Sequence, residues 1–253
     1  MISEKKNSFN FIRKAWHLLG LFIPLALYLD WYKNSFELVY ATRAIIVIVL
    51  VVCLVLLVVT EILRFKSEAF SNFFWKILGP LMKDSERQYM NATLPYFTAN
   101  LFVIYLFPAE LAVMSLAFLV IGDPFAAYIG ANYGKNRFYN GKSLEGIIAF
   151  IVSATVFGLF LTWGFSLYNA NSIYSMFDEL GSFQFSSLVV LLVGASIAGI
   201  TEFFSSTTWK GFLDDNLLIP VVSSVTMALV SSLFFGKTWN EIIFPFMDLL
   251  QKQ

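Results

Sequence analysis

Apolar residues run almost unbroken through long blocks of this 253-residue chain, and the polar residues are gathered between the blocks. A helix needs about 20 mostly apolar residues, roughly 17 to 25, to cross a bilayer. By that measure the pattern predicts seven spans, at 12–30, 41–63, 91–107, 109–130, 145–168, 184–206 and 217–236. Pro95 and Pro108 leave the third little more than the minimum length. Residues 66–83 differ, because Phe70, Phe73, Phe74, Trp75, Ile77 and Leu78 are mixed with lysines, the pattern of a helix lying in the membrane interface. The tail from Thr238 to Gln253 is read the same way on the other side. The expected fold is all-α, a polytopic helical bundle forming one membrane domain over 1–253, with a cytoplasmic loop at 131–144.

Composition agrees. The chain is 58% hydrophobic and 13% charged, against about 25% charged in soluble proteins, and its mean hydropathy is +0.72. Seventeen basic and seventeen acidic residues cancel, so the total charge offers no support for a nucleic-acid partner. The single cysteine, Cys53, lies in an apolar run and excludes an internal disulfide or a cysteine-based metal site. Lys5, Lys6, Arg13 and Lys14 precede the first apolar segment and no small-x-small cleavage pattern follows Pro24, which predicts a retained signal-anchor helix.

Lysine and arginine are retained on the cytoplasmic side of membrane proteins. With the amino terminus cytoplasmic, thirteen of the seventeen fall on that side. The unusual polar motifs then share one face, and a single cytoplasmic site gathers them. A bacterial plasma membrane and an internal eukaryotic membrane such as the endoplasmic reticulum fit equally. Ala154 with Gly158 and Ala195 with Gly199 permit close helix approach, read as ordinary packing. A homo-oligomer is compatible with the pattern.

Asp123 interrupts an apolar run, where an ionisable residue costs roughly 2.5 to 3.5 kcal/mol, which marks it for metal or substrate contact over a simple helix cap. Pro124 follows it and predicts a bend or break in the fourth span. Gly141-Lys142-Ser143-Leu144-Glu145-Gly146 ends like a phosphate-binding P-loop, but Asn136 stands where the first glycine belongs and no strand precedes it. The remaining physics is an anion site at a helix amino terminus with Lys142 beside it, or a Ser143 cap with a snorkelling lysine. Glu202, Asp215 and Asn216 offer hard oxygen ligands of the kind that hold Mg²⁺ together with phosphates. Asp214 reads as a solvated acid, Glu61 and Arg64 as an intrahelical ion pair, and His17 as a hydrogen-bonded packing group.

Taken in order, Arg13-Lys14 with His17, Glu61 and Arg64, Gly122-Asp123 with Ala126 and Gly130, the Gly141–Gly146 run with Ala149, and Glu202 with Asp215-Asn216 and Pro220 resemble the dolichol kinase, phytol kinase and CTP-dependent diacylglycerol kinase family. The resemblance covers most of the chain and is most specific from Gly122 to Ala149. Pro124 departs from the small residue usual after the aspartate, and the region from Lys83 to Pro95 matches only loosely at Glu86 and Ala92-Thr93. The resemblance implies an integral membrane kinase that moves the terminal phosphoryl group of CTP, with a divalent cation, to the hydroxyl of a lipid alcohol.

On that basis Asp123, Glu145, Glu202 and Asp215 are assigned to Mg²⁺ or nucleotide, and Lys142, Ser143, Gly146, Lys135, Arg137 and Asn216 to nucleotide and phosphates. Asp123 stands ahead of His17 as base for the acceptor hydroxyl, and Arg13, Lys14, Glu61 and Arg64 are supporting residues. Two rivals remain. A CTP:phosphatidate cytidylyltransferase lacks its histidine-glycine-glycine signature here, since the lone histidine is His17. An ion-coupled transporter would use Asp123, Glu145 and Glu202 as a relay, yet no internal repeat is visible.

Overall fold

The computed structural model describes residues 18–33, 35–138 and 140–252. Arg13, Lys14 and His17 lie outside the described residues, as does the start of the first expected span. The described chain is helical, and its β-pairing is confined to four isolated bridges. In chain order the helices are α1 (Phe22–Tyr28), α2 (Ala41–Lys66), α3 (Glu68–Leu78), α4 (Thr93–Leu106), α5 (Ala109–Ala117), α6 (Asp123–Tyr133), α7 (Leu144–Tyr168), α8 (Phe185–Phe204), α9 (Asp215–Phe235) and α10 (Trp239–Ile242).

Among the described residues five stretches are long and apolar enough to cross a membrane: Ala41–Lys66, Ala109–Tyr133, Leu144–Tyr168, Phe185–Phe204 and Asp215–Phe235. The chain is thus an integral membrane helical bundle. α4 has 14 residues, which at 1.5 Å per residue is roughly 21 Å, short of a bilayer core of about 30 Å. Ala99, Asn100, Val103 and Ile104 on it are fully buried, and it packs between α2 and α9 as an interior helix.

The span carrying Asp123 is the central one. In Ala109–Tyr133, 61% of the most apolar window is enclosed by protein, against 22% in α2 and in α7, whose outer faces are left for lipid. The helix does not break at Pro124. Gly122 and Asp123 keep helical φ/ψ of −65/−46 and −60/−44, and α5 passes through a π-helical turn at Phe118–Gly122 into α6 without interruption. A proline inside a regular helix presses on the carbonyl four residues back, and the wider turn ahead of Pro124 makes room for its ring.

Gly122 also sets how closely α6 meets α7. A Cβ there would lie 2.5 Å from the buried Phe150 ring. Gly122→Ala is therefore expected to destabilise the protein by about 1 to 3 kcal/mol through overpacking, read as a lowered thermal midpoint in detergent. An unchanged midpoint would show that the Phe150 ring moves aside at no cost. The small pairs read from the sequence sit at helix crossings. Ala154 and Ala195 are buried, a Cβ on Gly158 would meet Leu191 of α8, and one on Gly199 would meet Ile151 of α7.

α3 begins at Ser67, whose Oγ accepts from the Phe70 amide at 3.3 Å. It buries Phe74 and leaves Phe73 and Ile77 exposed.

Candidate functional site

The Lys-Ser-Leu-Glu-Gly run forms the start of α7. Ser143 has extended φ/ψ and caps the helix, its Oγ accepting from the Gly146 amide at 3.1 Å. Gly146 sits where α7 crosses α6, a Cβ there standing 3.1 Å from the Ala126 carbonyl. The preceding loop is a tight reversal. Phe138 donates to the Lys142 carbonyl at 2.9 Å and Gly141, at φ +78, donates back to the Phe138 carbonyl at 2.9 Å.

Arg137 donates to the carbonyls of Gly141 at 3.0 Å and Gly130 at 2.9 Å, so its guanidinium ties the loop to the carboxyl end of α6. Glu145 accepts from the Asn136 amide at 3.3 Å and from its side chain at 3.2 Å. Two of the amides at the start of α7 are already partnered, Leu144 to the Asn136 carbonyl and Gly146 to Ser143. Lys135 remains exposed on the loop.

Lys142 reaches away from the loop to the carboxyl end of α8. Its Nζ lies 3.0 Å from Glu202 Oε1 and 3.1 Å from Ser205 Oγ, and it also donates to the Glu202 carbonyl. Asn140 donates to the neighbouring Phe203 carbonyl. The ammonium has three donors, and these partners account for all of them. Lys142→Met leaves Glu202, 8% exposed, without its cation. The expected loss is about 2 to 3 kcal/mol, below the 3 to 5 of a fully buried pair, since the lysine side chain keeps 26% exposure. Adding Glu202→Gln should restore much of that stability, and a double variant as unstable as Lys142→Met would refute the coupling.

Glu202 gathers the remaining acids. The charges of Asp123 on α6 and Asp215 at the start of α9 both bear on it. Asp214 caps α9, its Oδ1 accepting from the Leu217 amide at 3.2 Å. Asn216, 2% exposed, donates to Asp214 Oδ2 at 2.7 Å and Asp215 Oδ1 at 3.1 Å, holding the two carboxylates together. Burial, with the charge of Asp215 beside it, pushes the Asp214 carboxyl up to about 7. Asp214 is therefore a buried part of the site, whereas its place in a polar loop suggests a solvated acid.

Glu61 and Arg64 are an ion pair, as their spacing implies, but a buried one with a second task. Arg64 Nη2 lies 2.6 Å from Glu61 Oε2 and Nε 3.1 Å from Oε1. The same guanidinium donates to the carbonyls of Glu86 at 2.7 Å and Tyr89 at 2.8 Å. It thereby fixes the 84–91 segment, whose Met90 amide donates in turn to the Lys210 carbonyl at 2.7 Å.

One region thus brings together Asp123, Lys142, Glu202, Asp215 and Asn216, with Asp214 and Ser205 added. Glu145 and Arg137 shape the loop beside it. Ser205 and Asn140 carry no signal in the sequence, because their partners lie some sixty residues away along the chain.

The charges of Asp123 and Asp215 bear on Glu202, whose ion-pair partner among the described residues is Lys142. Carboxylates gathered in a partly buried site are of the kind that take a divalent cation. Among the described residues no three histidine, cysteine, aspartate or glutamate side chains are grouped so as to hold a metal ion by themselves.

The chain is 31% identical over 172 residues to CTP-dependent diacylglycerol kinase 1 of Schizosaccharomyces pombe, covering 67% of this chain and 74% of that one. It is 30% identical over 234 residues to the protein of the same name from Saccharomyces cerevisiae, covering 88% and 73%. Similarity to the dolichol kinase of Saccharomyces cerevisiae, 30% over 119 residues, spans 47% of this chain and 19% of that one. No family model matches the chain, and no solved structure does.

Proposed function

The chain belongs to the family of the CTP-dependent diacylglycerol kinases and dolichol kinase, and from that premise we propose that it transfers the terminal phosphoryl group of CTP to the hydroxyl of diacylglycerol. The observation that carries the reading is the pairing of Glu202 with Lys142, with the charges of Asp123 and Asp215 bearing on the same carboxylate. Diacylglycerol is chosen because the two relatives matched at 31% and 30% identity over 67% and 88% of this chain bear its name.

Phosphoryl transfer is mostly positioning and neutralisation of charge. Glu202 and Asp215, with Asp123 near, are the residues that would hold Mg²⁺. Bound there, the ion would offset the charge of the triphosphate and of the leaving diphosphate. Lys142 keeps the Glu202 carboxylate aimed and partly neutralised, and exposed Lys135 offers positive charge to the phosphates at the loop. Asp123 accepts the proton of the lipid hydroxyl as its oxygen bonds to the terminal phosphorus and the bond to the leaving CDP oxygen breaks. The helix bearing it exposes Phe125 and Tyr128, apolar surface on which a lipid acceptor would pack. The site is assigned to the cytoplasmic face, which the lysine and arginine distribution favours and where nucleotide is supplied. α3 is assigned to that interface.

The test uses purified full-length protein and CTP labelled either at the terminal or at the innermost phosphate, offered with diacylglycerol, a polyprenol and phosphatidate. Terminal label should enter diacylglycerol, and chelating Mg²⁺ should stop it. Innermost label entering lipid would identify a cytidylyltransferase and overturn the assignment, as would transfer that persists in full under chelation for the metal.

A further inference from the structure

A cavity of about 230 Å³ lies at the opposite end of the bundle from Asp123, with Glu110, Asn169, Asn171, Tyr174, Lys237 and Glu241 in its wall. Glu110 stands in the first turn of the span that carries Asp123, about 20 Å away along it at 1.5 Å per residue. In the orientation assigned above, the cavity therefore opens on the non-cytoplasmic face.

Most of the polar groups around it are already engaged. Glu241 Oε1 lies 2.9 Å from Lys237 Nζ, and its Oε2 accepts from the Thr238 amide at 2.8 Å, so these two charges match each other. Asn171 donates its amide to Glu179 at 2.7 Å. Arg43 interacts with Glu110 electrostatically, but its guanidinium donates to the carbonyls of Ile104 and Phe107. Glu110 is what remains. It is 7% exposed, and its Oε1 accepts from Asn169 Nδ2 at 3.3 Å. Its Oε2 accepts from no described residue, yet it is not shut off from the surrounding space, so it opens into the cavity. Two wall residues fix its place there: Asn169 by that hydrogen bond, and Tyr174 because the Glu110 charge bears on its hydroxyl.

A carboxylate offers about four acceptor sites, and burying one with so few of them used is costly. The unmatched charge in the wall is negative, which disfavours an anion. A hard divalent cation takes roughly six to eight oxygens, for which one carboxylate is a poor start. An ammonium brings three donors and one charge. The space exceeds the roughly 150 Å³ that accepts benzene, enough for an ammonium on a short carbon stem. Tyr168, beside Asn169, and Trp239, two residues after Lys237, are exposed, and such rings sit at the level of lipid headgroups.

We infer that this cavity binds a primary ammonium group, carried by a lipid headgroup or by a free amine, with Glu110 accepting from it. The inference is independent of the phosphoryl-transfer reading.

The test measures thermal midpoints and binding for full-length wild type, Glu110→Gln and Asn171→Trp in detergent, without nucleotide. Asn171 is exposed at the mouth, so its variant keeps the test open should Glu110→Gln fail to fold. The probes are phosphatidylethanolamine, free ethanolamine and, as the control without N–H donors, phosphatidylcholine. Phosphatidylethanolamine or ethanolamine should raise the wild-type midpoint by about 4 °C near saturation, and both variants should weaken binding at least about tenfold. A response to phosphatidylethanolamine alone identifies a headgroup site, and one to ethanolamine identifies a site for the amine itself. The inference fails if neither probe stabilises the wild type, if phosphatidylcholine does so equally, or if the folded variants bind as the wild type does.

Discussion

Asp123→Asn is expected to lower phosphoryl transfer from CTP by at least about 10³-fold while leaving the protein folded. Asparagine keeps the shape of the side chain but cannot accept the hydroxyl proton and removes one of the charges that converge on Glu202. Loss of a positioned base alone accounts for roughly 10² to 10⁴ in rate. Folding should survive because Asp123 is only partly buried and the helix passes through it with regular dihedrals. The measurement is the initial rate at saturating CTP and diacylglycerol beside a melting curve in detergent. An Asp123→Asn protein of full activity would remove the residue from the site and with it the proposed path of the proton.

The largest effect on stability is expected at Arg64. Its side chain is 1% exposed and that of Glu61 7%. Arg64→Met strands a buried carboxylate and leaves the carbonyls of Glu86 and Tyr89 without their donor. Breaking a buried pair in this way costs about 3 to 5 kcal/mol. Arg64→Lys keeps the charge but not the fork that serves a carboxylate and two carbonyls at once, so it should retain only part of the stability. The double variant Glu61→Gln with Arg64→Met should regain a share of the loss, since the stranded charge is gone. Equal melting curves for wild type and Arg64→Met would show that the pair carries no structural load.

Several of these residues are legible in the linear chain. Asp123 stands out because charge at membrane depth is costly. Ser143 is recognisable as a cap from its place ahead of an apolar run, and Glu61 with Arg64 from their spacing on one helix. Each of these signals is local, and local signals survive in a linear chain. Lys142 shows the other kind. Its place beside a helix start points to phosphate, but its ammonium rests on Glu202 and Ser205, sixty and more residues on. Asp214 looks solvated in a polar loop and is buried against Asp215 and Asn216. Pro124 has the character of a helix breaker, and the π-turn that ends at Gly122 absorbs its ring.

The amino-acid order by itself determined the class of the molecule, an all-helical membrane bundle, and the places where polar chemistry must be held, because burying apolar length in lipid and satisfying backbone groups within helices leave few alternatives. It also pointed to the segment from Gly122 to Ala149 as the centre of the proposed site. Tertiary structure decided which helix sits inside the bundle, why the 91–107 segment is an interior helix of 14 residues, and which acids face one another. Those outcomes depend on contacts between distant segments, such as Gly122 on Phe150 and Lys142 on Glu202. Close packing and buried charge pairing are set by the partner that arrives from elsewhere in the chain, and no local pattern records that partner.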